Sequence, residues 1–281
     1  LALVSAAGAI FTSGAALASP SFYGVKQDGA GNSSLLLFDI GAGTVTNVAS
    51  TASFMVDCDF DASGTLWAVR QHFSGPFGEN TNRAYTIDTT TGASTPMGEF
   101  YPSATFTSLA FRSSNSAFYT VNETGSPQGQ LSTANMVAGT TLTVSGAYHG
   151  LSHVPVYALA FNPVGGQLYG IWNDGTTSPF GSTDNYKLAS FNVATGLATP
   201  IGSINGTQDD FLSLRFDSAG NAYTVDADTG GVYSLNLSTG AGTLLFTSST
   251  AQGTRGLAFV PAPGAAALLG LGMLGALRRR R

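Results

Sequence analysis

The chain has 281 residues, of which only 10% are charged, and a formal net charge of −5. Four of its eleven basic residues are the last four, so the rest sets seven Lys and Arg against sixteen Asp and Glu; such an acidic surface repels phosphate backbones and argues against nucleic acid as a partner. One cysteine, Cys58, rules out an intramolecular disulfide, and no Cys/His spacing fits a structural zinc site, so stability has to come from packed side chains.

Leu1 to Leu17 is apolar and uncharged and runs into Ala16-Leu17-Ala18, a small-x-small pattern before Ser19. Residues 1–18 are therefore expected to be a signal peptide whose basic start precedes this sequence, and the protein is expected to be exported. Three short strand patterns follow, at Phe22-Tyr23-Gly24-Val25, Leu35-Leu36-Leu37-Phe38 and Thr44-Val45-Thr46.

From there the chain repeats. A strand ending in Phe recurs as Cys58-Asp59-Phe60, Leu109-Ala110-Phe111, Leu159-Ala160-Phe161, Leu214-Arg215-Phe216 and Leu257-Ala258-Phe259, with the Phe positions separated by 51, 50, 55 and 43 residues. After each of the first four comes a polar turn and a second strand, as in Leu66-Trp67-Ala68-Val69. A third strand runs into a Thr-Gly or Ala-Gly turn, as at Gly92, Gly196 and Gly240, and a fourth follows, as at Ala198-Thr199-Pro200-Ile201.

Four short strands per repeat, divided by Gly, Asn and Asp turns, is the pattern of a propeller blade. Phe22 to Val48 supplies only the last three strands of such a blade, and the missing first strand is Gly256-Leu257-Ala258-Phe259 at the far end. The fold is therefore expected to be all-β: a five-bladed β-propeller over residues 19–259, closed by pairing of N- and C-terminal strands, which hides the edges an open sheet would expose. The body resembles secreted bacterial propeller-repeat proteins, a likeness specific to no activity.

In such a ring the second-to-third-strand loops and the blade-to-blade connections emerge on one face. The longest insertions, Gln71 to Arg83, Asn122 to Gln130 and Asn173 to Asn185, are expected there. This makes His72, Phe77, His149, His153, Trp172, Asp174 and Phe180 the ligand-face candidates. His149 and His153 sit four apart in a Gly/Pro-flanked loop without a nearby carboxylate, so no metal site is expected.

Asp57 and Asp59 are charged exceptions on an inner strand where other repeats place small residues, and Arg215 is a third. Either they form a structural charge pair or a channel-lining water site, or Asp57 and Asp59 serve as acid and base of a secreted hydrolase or lactonase acting on a polysaccharide or lactone. Cys58 between them reads as a small buried core residue. Asp226-Ala227-Asp228 and Asp209-Asp210 leave calcium open, without the ligand count of a defined loop, and no cofactor is otherwise expected.

The chain ends with Val260-Pro261-Ala262-Pro263, an uncharged run from Gly264 to Leu277, and Arg278, Arg279, Arg280 and Arg281. A helix from Ala262 to Leu277 would rise ~24 Å, short of a ~30 Å hydrocarbon core, and the arginines could snorkel to complete it with their charges on the cytoplasmic side. This order resembles the PEP-CTERM sorting signal of Gram-negative bacteria, with Ala262 where Glu is usual. The resemblance implies that residues 260–281 are a sorting and anchor segment with a hydrophobic helix, held at the inner membrane and processed by an exosortase-like enzyme. The destination implied is the cell surface or extracellular matrix of an exopolysaccharide-producing, biofilm-forming bacterium. A non-enzymatic binding or structural role, with carbohydrate or a matrix protein as partner, is the expected function.

Overall fold

A computed structural model describes residues 19–28, 32–51, 54–74, 79–100, 106–122, 129–144, 150–151, 156–173, 185–204 and 210–260, with backbone alone for 71–74 and 79–81. Residues 1–18, the expected signal peptide, and residues 261–281, where the anchor helix is expected, lie outside them. Among the described residues no helix is long and apolar enough to cross a membrane.

The described chain forms five four-stranded antiparallel sheets. The first blade contains β1 (Ser21–Asp28), β2 (Asn32–Asp39) and β3 (Thr44–Thr51). The second holds β4 (Met55–Phe60), β5 (Leu66–Ser74), β6 (Glu79–Ile87) and β7 (Ser94–Phe100). The third holds β8 (Ala110–Arg112), β9 (Ala117–Asn122), β10 (Gln130–Asn135) and β11 (Thr140–Thr143). The fourth holds β12 (Val156–Phe161), β13 (Leu168–Asn173), β14 (Tyr186–Phe191) and β15 (Ala198–Ser203). The fifth holds β16 (Arg215–Phe216), β17 (Ala222–Val225), β18 (Gly231–Leu235) and β19 (Gly242–Thr247), and β20 (Thr254–Phe259) completes the ring.

The order β20-β1-β2-β3 is the expected split blade: β1 pairs with β2 on one side and with β20 on the other, through Phe22↔Phe259, Tyr23↔Ala258 and Gly24↔Leu257. Val260 belongs to this closure as well, since its N–H donates to the Ser21 carbonyl at 2.9 Å. One expected loop is partly sheet. Within Gln71 to Arg83 the β5–β6 ladder continues through His72↔Thr81 to Ser74↔Glu79, because the polar alternation of that stretch is compatible with an extended hairpin.

Neighbouring blades meet through apolar layers, one for each adjacent pair. The layer between the fifth and first blades contains Phe22, Phe38, Tyr223, Val225 and Leu257, with the Phe22 ring 5.2 Å from Tyr223 and 5.6 Å from Phe259. Each such side chain contributes about 1.5–3 kcal/mol by leaving water. At the inner ends the blades crowd: a Cβ on Gly256 would lie 2.5 Å from Asp57 Oδ1 and 2.6 Å from Asp57 Cα, which is why this strand carries Gly.

The rim uses a repeated turn. Asp88, Asn135, Asn192 and Asn236 each accept two amides of the following turn through Oδ1. The glycine four residues on has positive φ and donates to the Asx carbonyl at 2.8–2.9 Å. Three of these turns also dock on the preceding blade: a Cβ on Gly92 would lie 2.5 Å from Ala49 Cβ, one on Gly139 2.3 Å from Glu99 O and one on Gly240 2.4 Å from Gly202 O. Only glycine combines that φ with that approach.

Candidate functional site

Strands within a blade alternate in direction. The first-to-second and third-to-fourth turns therefore share one face of the disc, and the second-to-third and blade-to-blade connections share the other. Every internal stretch outside the described residues is a connection of the second kind. Among the ligand-face candidates, Phe77, His149, His153, Asp174 and Phe180 fall in those stretches, and of His72 only the strand backbone is described. Trp172 is 5% exposed near the end of β13 with Lys187 Nζ 5.6 Å from its ring centroid.

The charged exceptions of the inner strands meet on the axis. The residue two before the Phe in four of the repeats, Cys58, Leu109, Leu159 and Leu257, turns its carbonyl from the unpaired inner edge of its strand to the axis. Arg215, reaching in from the fifth blade, is 4% exposed. Its Nε donates to Leu257 O of the first blade, and Nη2 donates to Cys58 O of the second and to Leu109 O of the third at 3.1 Å. Nη1 donates to Leu159 O of the fourth at 3.2 Å and to Asp59 Oδ2 at 2.9 Å. A guanidinium has five N–H donors. All five are used, and four go to equivalent carbonyls, one from every other blade.

The two carboxylates complete the ring of bonds. Asp57, 1% exposed, accepts from Cys58 N at 2.8 Å and from Leu109 N of the next blade at 2.6 Å, with Arg215 Nη2 3.5 Å from Oδ1. Asp59 accepts from Phe60 N at 2.9 Å and from Phe111 N of the next blade at 2.7 Å. Each therefore ties the second blade to the third by satisfying edge amides that a side chain of another repeat would leave unpaired.

Burial pushes both carboxyls above the ordinary carboxylate range, Asp57 the further, while Arg215 and the amide bonds pull them back. Burial, reinforced by Asp57, also drives the Cys58 thiol well up. A buried, protonated thiol is inert, the core residue that its position suggests.

Chemically the cluster is a neutralised cross-link. An acid–base pair needs oxygens that can reach a substrate, whereas those of Asp57 and Asp59 are occupied by amides and the guanidinium. Asp226, fully buried, is likewise engaged: it accepts from Asp228 N at 2.9 Å, from Asp210 N at 3.3 Å and from the Thr229 hydroxyl. Among the described residues no group of three or more His, Cys, Asp or Glu could hold a metal ion. Arg215 and Asp59 were visible in the sequence as inner-strand exceptions; the other four partners of Arg215 were not, because they are backbone carbonyls of residues up to 157 positions away.

The architecture is that of a five-bladed β-propeller. No family model matches the chain, and no curated protein matches it by sequence. Among solved structures it is similar to a chain of a nidogen/laminin complex, at 13% identity and a TM-score of 0.50 over 86% of this chain and 98% of that one. It is also similar to a periplasmic gluconolactonase of Pseudomonas aeruginosa, at 12% identity and a TM-score of 0.48 over 87% and 99%. At these identities the likeness is one of fold alone.

Proposed function

We propose that the protein is an exported, non-enzymatic binding propeller of the cell surface or extracellular matrix, with carbohydrate or a matrix protein as partner. The observation that carries this reading is the axial cross-link. Arg215 uses all five of its donors and every oxygen of the two carboxylates already accepts a hydrogen bond, so on this reading the disc serves as a rigid carrier for its faces. On this reading residues 1–18 export the chain and residues 260–281 hold it at the inner membrane until an exosortase-like enzyme cuts near Pro261, Ala262 and Pro263.

The topology supports a particular orientation. Val260 leaves the disc beside Ser21 on the tight-turn face, so an anchored molecule would turn its insertion face away from the bilayer. The test is deletion of residues 261–281 followed by cell fractionation, together with a glycan array and a hydrolysis panel of polysaccharides and lactones. The expected result is loss of membrane retention, glycan binding and no turnover. Unchanged location, or turnover abolished by Asp57→Asn and Asp59→Asn, would overturn the proposal.

A further inference from the structure

A second binding site emerges from a break in the repeat. In the four blades that are continuous in sequence, the residue directly after the inner-strand Phe opens the first-to-second turn. In three blades it is an Asx that caps that turn: Asp61 accepts from Ser63 N and Thr65 N, Asn162 from Val164 N, and Asp217 from Ala219 N and Asn221 N. Each of those turns also contains a positive-φ glycine, Gly64, Gly165 with Gly166, or Gly220. The third blade has Arg112 instead, which can accept nothing, and its turn places Ser116 at φ 52, the one non-glycine residue with positive φ among those described. This turn has given up its cap and adopted backbone strain, a departure that the fold does not require.

What Arg112 does instead is lie across the seam between the third and fourth blades. Its guanidinium carbon is 5.6 Å from the centre of the Phe161 ring, and its Nε is buried with no hydrogen-bond partner. Among the other cations of the body, Arg83 pairs with Glu99, Arg215 with Asp59 and Lys26 with the Thr250 carbonyl, while Lys187 lies over Trp172 as Arg112 lies over Phe161; the Nε of Arg83 and of Arg255 is buried without a hydrogen-bond partner as well. Arg112 has no carboxylate partner among the described residues. It lines a cleft of about 440 Å³ together with Gln167, Ser190, Asn192 and Thr199. The Asn192 Oδ1 is spent on its own turn and Gln167 Nε2 on two carbonyls; this leaves one amide donor, one amide acceptor and two hydroxyls.

We propose that this cleft binds the carboxylate of an acidic saccharide: the guanidinium takes the uronate group through paired N–H donors, and the amides and hydroxyls take the neighbouring ring hydroxyls. A planar fork suits a carboxylate, and a mixed set of neutral donors and acceptors suits a polyol. The site lies on the tight-turn face, apart from the insertion loops, and it rests on the carbohydrate reading of the proposed function.

The test is calorimetric titration of the full chain in detergent with a glucuronic acid tetrasaccharide and with its carboxyl-reduced, neutral counterpart. The acidic oligomer is expected to bind about tenfold or more tightly than the neutral one, given the strength of a charge-assisted hydrogen bond, and less tightly as salt rises. Arg112→Asn should abolish that difference while leaving Tm unchanged or higher, because it restores the turn cap. No binding of the acidic oligomer, equal binding of the two, or binding indifferent to Arg112→Asn overturns the site. Glycan binding with no preference for the acidic oligomer would do so while leaving the proposed function standing. Loss of acid binding in Arg112→Asn, with location unaffected by tail deletion, would do the reverse.

Discussion

The inner and outer ends of the blades are joined by opposite strategies. At the rim the blades are nearly alike: an Asx residue caps each third-to-fourth turn, and at Gly92, Gly139 and Gly240 a glycine docks it on its neighbour. At the axis they are unlike, because one arginine and two aspartates bond to backbone groups of all the others. Repetition suffices where each blade touches only the one before it. Where five strands converge, identical side chains would clash or repel, and one charged group from one blade serves the remainder. The uniform part of the structure is local and the irregular part is global.

That contrast can be broken first at its most connected point. Arg215→Met should cost about 3–5 kcal/mol in denaturant unfolding, the penalty for stripping a buried ionic group from its partners, and Arg215→Lys should recover part of it with three donors. A loss no larger than that of a rim substitution would show that the axis is not the common tie. At the rim, Gly139→Val should cost about 1–3 kcal/mol through overpacking against Glu99, without the cooperative loss seen at the axis.

The two ends should also respond to pH with opposite sign. Asp57 and Asp59 are raised above 3.8 by burial, so their contribution is full below that value and is lost as pH climbs through the folded pKa. Asp39 and Asp88 are lowered by backbone hydrogen bonds from their turns, chiefly from Ala42 and Thr91, so theirs is present above 3.8 and lost as pH falls. Thermal melts across pH should show Asp57→Asn flattening the rise-with-acid limb and Asp88→Asn the opposite one, the latter weakly because the group is exposed. The smallest effect is expected at the irregular turn, where Ser116→Gly should stabilise by about 0.5–1 kcal/mol by relieving its positive φ.

The ring and its closure were legible because they rest on spacing: the Phe-terminated strands recur, and the missing first strand of the opening blade sits at Leu257. The inner-strand charges were legible as exceptions only. Apart from one another, their partners are carbonyls and amides, which every residue has, so nothing in the side-chain pattern singles out Leu109 or Leu159. The β5–β6 extension past Gln71 was hidden because its polar residues read equally well as loop. The turn caps could have been found, since Asp88, Asn135, Asn192 and Asn236 all stand four residues before a glycine, and the same alignment exposes Arg112 as the residue out of place.

The closing strand has a mechanical side. β20 runs antiparallel to β1 across the thickness of the disc, and the chain leaves it at Val260, next to Ser21. A pull on residue 261 along the strand direction would load the Ser21–Val260 and Tyr23–Ala258 rungs together, in shear, with the Arg215 bond to Leu257 as a further rivet. A sideways pull would open the same rungs one at a time, starting at Val260. The direction of tension on the tail would therefore decide whether the ring holds or unzips.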